Sequence, residues 1–404
     1  MSASSVVNVA YILKTLWPQE RLESETYDDN PLLALIPKSE EFYGENMYIA
    51  LRYTDVVGRS ATFSVAQANK NPHKGVRFLL TRGRDFAIFG IEHELILAAK
   101  KDKGALVRSL NTESSSAHNV LTNSLALAMF GDGAGVRGQL LADPATASSF
   151  TLKKIEEVVN FEVDQKIVFA ATRLGALRAG GTRTISAVDR DTGVITVSAA
   201  LDAALDANDF IFCEGDAAAG GSTKLPVGLL GWVPASAPDS TAFFGVDRSP
   251  DPVRLGGLRV DVSTLNPEEG LATMLSRADR EGARLSHIMR NPVDYKNIQV
   301  ALGSKIETEY TSVGTIGFTA IKVLGPKGAV KIYSDKSCPP AVGFSLTMKS
   351  LKFHSLGKAP MTIEADGNSI LRDATADSFE GRMALYGNMA CDAPGHNVYE
   401  VLPS

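Results

Sequence analysis

The sequence predicts an α+β chain built in several layers, and three stretches carry that prediction. Residues 103–131 read KGALVRSLNTESSSAHNVLTNSLALAMFG, with apolar or small residues at Leu106, Leu110, Ala117, Val120, Leu121, Leu125 and Ala128. Steps of mostly three or four place them in one stripe along a helix, with Arg108, Asn111, Glu113, His118 and Asn123 mostly off it. At 1.5 Å per residue that helix is roughly 40 Å long. A compact core rarely needs so much, so it serves as a spine on which layers are hung. Gly131 is placed to end it in the left-handed conformation. From Asn46 the period changes to two: MYIALRYTDVVG and VRFLLTRGRDFAIFGI flank a polar interval, FSVAQANKNPHKG, which predicts a long β-hairpin. From Phe150 short alternating strands take over, and after residue 236 strands and helices alternate, the mark of an α/β layer.

Composition narrows the function. A chain of 404 residues suggests about two to four domains. Its 41 basic and 46 acidic residues give a net charge of −5, so it is not a basic nucleic-acid binder overall, and contact with DNA is local or indirect. Cys213, Cys338 and Cys391 lie far apart with no CxxC pair. They form neither a disulfide framework nor a cysteine zinc site, and buried reduced thiols are expected. Residues 1–30 show no basic start followed by an apolar core. The longest apolar runs, at 95–99 and 125–130, fall far short of a membrane span.

Taken in order, residues 5–17 (SVVNVAYILKTLW) form an amphipathic helix up to Pro18. An acidic segment follows, with Glu20, Glu23, Glu25, Asp28 and Asp29 relieved only by Arg21. NPLLALIPK, residues 30–38, is an apolar plug between two prolines. It suits either an arm docking on another surface or an edge of the chain's own core. The hairpin tip and return strand hold Lys70, Lys74, Arg77, Arg82 and Arg84, either a solvated face or a docking face. An isolated hairpin is marginal in water, so one this long needs a partner. IEHELILAAKK (91–101) predicts a short helix leading into the spine. Residues 150–235 predict an inserted β-domain, a small barrel or sandwich with DRDTG (189–193) as a hairpin turn, closed by GLLGWVP. Asn266-Pro267 and Asn291-Pro292 each open a helix, with asparagine as N-cap. TAIKVLGPKGAVKIYSD (319–335) predicts strand, turn, strand. FSLTMKSLKFHSLG (344–357) and FEGRMALYGNMACDAPGHNVYEVL (379–402) are long strand-like segments returning against the spine.

No catalytic constellation emerges. Gly133, Gly135 and Gly138 match GxGxxG but follow a helix rather than a strand, so they make a loop and not a dinucleotide site. His93-Glu94 starts like HExxH, yet Leu97 stands where the second histidine belongs. Asp189 and Asp191 lack the downstream glutamate of a calcium loop. The six histidines are scattered, and no acid–base pair can be built from them. No catalytic residue, metal or cofactor is assigned.

Several segments in this order resemble the tailed-bacteriophage major capsid protein family, whose Hong Kong ninety-seven type shell fold encapsulins share. They are NPLLALIPK with EFYGENMYIALRY, SATFSVAQANK with RFLLTRGRDFAI, the spine ending AMFGDGAGVRGQL, DTGVITVSAAL with DFIFCEGD, GLLGWVP, and ALYGNMACDAPGHNVYEV. The resemblance implies the following division: an N-terminal arm (1–45), an extended hairpin loop (46–90) lying over a neighbouring subunit, a peripheral domain with the spine (91–149), an inserted all-β domain (150–235), an axial α/β domain (236–335), and returning strands of the peripheral domain (336–404). It implies a structural, non-enzymatic subunit that self-assembles into hexamers and pentamers of an icosahedral virion shell. Packaged double-stranded DNA would be held by confinement, without a membrane and after synthesis in the host bacterial cytoplasm. Implied partners are a portal protein and separate scaffolding and decoration proteins. Some relatives cross-link a loop lysine to a neighbour's asparagine, which here would take Lys70 or Lys74 with Asn388 or Asn397. The alternatives are an encapsulin-type compartment and, in a different class, a soluble carbohydrate-binding or enzymatic protein. The acids Glu20, Glu23, Glu25, Asp28 and Asp29 are expected to meet the hairpin bases Lys70, Lys74, Arg77, Arg82 and Arg84 between subunits, with the plug NPLLALIPK supplying apolar contact.

Overall fold

The computed structural model describes residues 30–93, 103–218, 223–303, 307–313, 316–364, 368, 370–372 and 377–403. The 5–17 helix and the acidic run 20–29 lie outside them, as do the side chains of residues 103–112. The plug forms a short helix, α1 (Pro31–Leu35), with proline in its first turn. Leu32, Leu33 and Ile36 are buried in the chain's own core, and the Leu32 amide donates to Asp335 Oδ2 at 3.2 Å. The plug is therefore an internal wedge and not a free arm. Burying such a side chain contributes roughly 1.5–3 kcal/mol, which keeps it inside.

The centre is β20 (Ser378–Cys391). It pairs with β17 (Leu351–Ser355), β18 (Met361–Thr362), β19 (Ile370–Arg372) and β4 (Gly83–Glu92), while β1 (Lys38–Ser39) adds in parallel to β17. Across this sheet lies the spine, α3 (Lys103–Phe130), with Ala117 and Leu121 packed on Phe89 and Met383. Its last turns, Leu125 to Phe130, enter the main core. The buried face departs from the predicted stripe. Ser114, His118, Thr122 and Ser124 are buried, whereas Val120 is 60% exposed. Successive residues turn about 100° around a helix, so a face centred on Leu121 and Leu125 takes in His118 and turns Val120 outward. The Thr122 hydroxyl donates to the His118 carbonyl at 2.9 Å, which satisfies it locally.

The hairpin is β2 (Asn46–Thr54) against β3 (Lys74–Thr81), in register from Asn46↔Thr81 to Thr54↔Lys74. It spans 46–81 rather than 46–90. After Arg82 the chain leaves its partner and continues as β4 along β20. The break falls at Gly83, where a Cβ would overlap Pro226 of a crossing segment. Ile91 and Glu92 complete β4 and are strand, not helix, and 94–102 lie outside the described residues.

The insertion is a barrel. Its strands β5 (Val136–Gln139), β6 (Ser149–Thr151), β7 (Lys166–Ala170), β8 (Arg183–Asp189), β9 (Val194–Val197) and β10 (Phe210–Cys213) run in the order β5-β10-β7-β8-β9-β6. A Leu140↔Leu152 bridge links the two ends, closing six strands around Phe150, Phe169, Ile185, Ile195 and Ile211. The module begins at 136, not 150, because β5 supplies one wall. It ends near 213, because Leu229 and Trp232 of α4 (Leu229–Trp232) belong to the main core. Entry and exit strands pair at Val136↔Phe212, so the barrel hangs on a two-strand neck.

A seven-stranded sheet completes the chain, in the order β11-β21-β16-β12-β15-β14-β13. These are β11 (Leu258–Asp261), β12 (His287–Arg290), β13 (Glu307–Val313), β14 (Ile316–Gly325), β15 (Gly328–Ser334), β16 (Val342–Leu346) and β21 (Val398–Val401). Helices α5 (Pro267–Arg280) and α6 (Pro292–Leu302) cover one face through Leu271, Met274 and Ile298. Asn291 caps α6 by accepting from the Val293 amide at 3.2 Å. The other face sends Met289, Tyr333 and Phe344 into the main core. Since β16 and β21 belong here, the segment after 336 serves both sheets and not the spine sheet alone. Short 3-10 turns at Met348–Ser350 and Pro394–His396 let it change layers.

Two predictions follow from the barrel's boundaries and interior. Replacing 136–213 with a short glycine–serine linker should leave a soluble, cooperatively melting remainder, whereas replacing 150–235 should abolish soluble expression by removing Trp232, whose truncation alone costs about 3–5 kcal/mol. Within the barrel, burial pushes the Glu157 carboxyl up from 4.5 to about 7. The folded state then holds a proton that the unfolded state sheds, so barrel stability falls as pH rises from about 4.5 to 7, by on the order of 2 kcal/mol. Thermal melts of Glu157→Gln should show a raised midpoint at pH 8 and no change at pH 4.

Candidate assembly surfaces

The hairpin carries a surface that is open among the described residues. Its tip holds α2 (Phe63–Ala68), a six-residue helix with no buried residue and no side-chain cap at Thr62. A helix this short is marginal in water unless something packs on it, since isolated helices need about 12–15 residues. Phe63 is 81% exposed and Val56 66%, with Val57, Val65 and Tyr48 also open to solvent. Sequence reasoning singled out the charges here and passed over these apolar residues. The signal was present in Val56 and Val57 just before the polar interval, and in Phe63 and Val65 at its start.

The five hairpin bases do not form one set. Lys70, Lys74, Arg77 and Arg84 are exposed. Arg77 leans on the Tyr48 ring at 5.9 Å, a contact within the hairpin. Arg82 is half-buried, donates to the Phe42 carbonyl at 3.3 Å and stacks 5.5 Å from the Phe42 ring, so it fastens the hairpin base to its own chain. Arg84 sits on β4, where its amide donates to the Lys224 carbonyl at 2.9 Å. The acids Glu20, Glu23, Glu25, Asp28 and Asp29 lie outside the described residues.

A second open surface lies on β4, where Phe86 and Ile88 point away from the spine and Phe86 packs edge-on to Tyr386 at 5.7 Å. The asparagines considered for cross-linking are structural. Asn388 accepts from the Val227 amide and donates to the Thr81 carbonyl, both at 2.8 Å. Asn397 is fully buried, and accepts from the Thr347 amide at 2.9 Å. Neither offers its amide carbon to a lysine of another chain.

The motifs weighed as enzyme sites have structural uses. Asp189 accepts from the Asp191 and Thr192 amides and the Thr192 hydroxyl, so its carboxylate closes the hairpin turn. Gly133 and Gly135 adopt positive φ in the loop that leads from spine to barrel. His93 pairs with Asp377 at 3.2 Å across the β4–β20 edge. Among the described residues no cluster of three His, Cys, Asp or Glu could hold a metal, and no helix is long and apolar enough to cross a membrane.

The architecture has a solved counterpart. The cyanophage A-1(L) capsid asymmetric unit matches over 92% of this chain and 92% of its own, with a TM-score of 0.52 at 11% identity. This is a phage-capsid shell fold. Two further structures match at lower scores: Mycobacterium phage Ogopogo, at 9% identity over 93% and 92% of the two chains with a TM-score of 0.44, and the holo-SrpI encapsulin complex from Synechococcus elongatus, at 7% identity over 92% and 88% with a TM-score of 0.43. At scores below 0.5 neither adds weight. No protein-family model and no curated relative matches the chain.

Within this phage-capsid shell fold the exposed tip makes a separable prediction. Phe63→Ser removes an apolar side chain that is 81% exposed, so folding free energy should change by less than about 0.5 kcal/mol. Sedimentation at assembling concentrations should nevertheless show a shift from large particles toward free subunits.

Proposed function

We propose that this chain is a structural major capsid subunit, assembling into hexamers and pentamers of an icosahedral tailed-phage head around packaged DNA. The observation that carries this reading is a capsid shell fold bearing a long hairpin whose tip helix buries no residue among the described part of the chain. The protein acts by covering a neighbour, not by catalysis. With a net charge of −5 the subunit neutralises few phosphates, so DNA is confined rather than bound. The further partner of such a head is a portal protein, with scaffolding and decoration proteins in those heads that use them; the subunit is made in the bacterial cytoplasm and ends in the virion.

Between subunits, Lys70, Lys74, Arg77 and Arg84 face the acidic run Glu20, Glu23, Glu25, Asp28 and Asp29 of a neighbour. Arg82 is withdrawn from that set by its bond to Phe42, and the plug by its burial. One exposed ion pair contributes only about 0–1 kcal/mol, but a shell repeats it in every subunit.

Electron microscopy of purified, concentrated protein should show closed shells, with nucleic acid in particles taken from infected cells. Discrete monomers would overturn the assembly reading, and shells filled with an enzyme would turn it into a storage compartment. Neutralising Lys70, Lys74 and Arg77 together should weaken assembly at low salt while the melting temperature stays unchanged. Exchanging charges, with acids on the hairpin and lysines in the acidic run, should restore it. Normal assembly of the triple variant at both low and high salt would mean that the hairpin charge is only a solvated face.

A further inference from the structure

The helical layer of the seven-stranded sheet contains an open apolar groove. It lies between α5 and α6, is lined by Val262, Leu265, Leu271, Ile298, Ala301 and Leu402, and has a volume of about 570 Å³. That is the size of a small-ligand pocket, enough for a few large side chains but not for a whole helix. Val300, at its mouth, is 74% exposed although it is fully apolar. Lys296 stands beside it.

The point where residues 1–29 join the described chain identifies the occupant. Asn30 is buried, and its Oδ1 accepts from Ser337 Oγ at 3.3 Å. One residue on, the Cys338 carbonyl accepts from the Asn291 side chain at 2.9 Å, and Asn291 caps α6. The segment therefore leaves the core beside the first turn of the helix that walls the groove. Residues 18–29 can span at most roughly 40 Å when extended, ample to reach along α6. Beyond them, Val6, Val9, Ala10, Leu13, Leu16 and Trp17 recur at steps of three, one, three, three and one. That spacing puts six apolar side chains on one helical face, the pattern that lays an amphipathic helix into a groove.

We infer that residues 5–17 of the same chain dock in this groove as a helix, seating Leu13 and Trp17 between α5 and α6. The segment acts as an intramolecular latch on the helical layer. This inference does not rest on shell assembly, and it is tested on unassembled subunits.

Of the two tryptophans, Trp232 is fully buried, so acrylamide quenching reports on Trp17. Trp17 should be shielded in the full chain. Val300→Asp changes a side chain that the fold does not bury, so it should leave the melting temperature unchanged. It should also shift Trp17 emission to the red with loss of shielding. In a Cys213→Ser background, Leu13→Cys with Ala301→Cys should oxidise to a disulfide within one chain, since Cys338 and Cys391 are buried. Equal quenching of Trp17 in both proteins would overturn the inference. So would a disulfide found only between two chains, which would assign the groove to a neighbour's segment, or no disulfide at all.

Discussion

The main core of this chain is organised around the indole of Trp232. Its ring meets Phe78 at the hairpin base (5.1 Å between centroids) and Phe243 and Phe244 on the following loop (5.2 and 5.8 Å). Its Nε1 donates to the Met389 carbonyl of β20 at 2.8 Å. The hairpin, the end of the spine, the post-barrel turn and the central strand thus share one wall. Arg248 closes the cluster from outside, donating to the Gly231 carbonyl at 2.9 Å and lying 4.0 Å from the Phe243 ring centre. Burial lowers its guanidinium to about 10, which leaves it charged at neutral pH and held by carbonyls and an aromatic face. Edge-on aromatic pairs contribute about 0.5–1.5 kcal/mol each beyond their burial, and only this geometry collects several at once.

The seven-stranded sheet has a different kind of lock. Arg290 of β12 reaches across Gly343 of β16 to Glu400 of β21, and Ser345 donates to the same carboxylate. The guanidinium occupies the space that a Cβ on residue 343 would need, so glycine is required there. Arg290 and Glu400 are almost wholly buried. Removing charges from water costs several kcal/mol per ion, and a buried pair adds little net stability over well-packed apolar residues. What this pair does supply is discrimination. A one-residue slip of β16 would bring a side chain under the guanidinium and leave both charges without partners.

Features set by neighbours in sequence were legible, and those set by distant ones were not. Asn291 and Pro292 announce α6 because cap and first turn are local. The spine's helical period and the barrel's alternation were equally plain. The fate of VRFLLTRGRDFAIFGI was not legible, because what divides it into β3 and β4 is Pro226 crossing at Gly83. VRGQ (136–139) is too short to declare itself as a barrel wall without β10 beside it. GLLGWVP has no periodicity, and its burial depends on a pocket assembled from four other elements. On the hairpin, charge was visible and its use was not. Arg82 looks like Arg84 in sequence, yet a carbonyl and a ring 40 residues away make it an internal fastener.

The ten-pair ladder between β4 and β20, from Ser378↔Glu92 to Gly387↔Gly83, has a mechanical consequence. Traction along the strand axis loads such a ladder in shear, so its bonds share the load and must yield together rather than peel one by one. On its other side β20 is gripped by β17, β18 and β19 in turn, which spreads the same load over further ladders. The strand therefore works as a tie rod, and tension entering through the hairpin at Arg82 is handed to it directly. Stiffness in the plane of this sheet is set by register length. Out of that plane it depends only on the side chains that seat the spine, so the molecule bends more readily than it stretches.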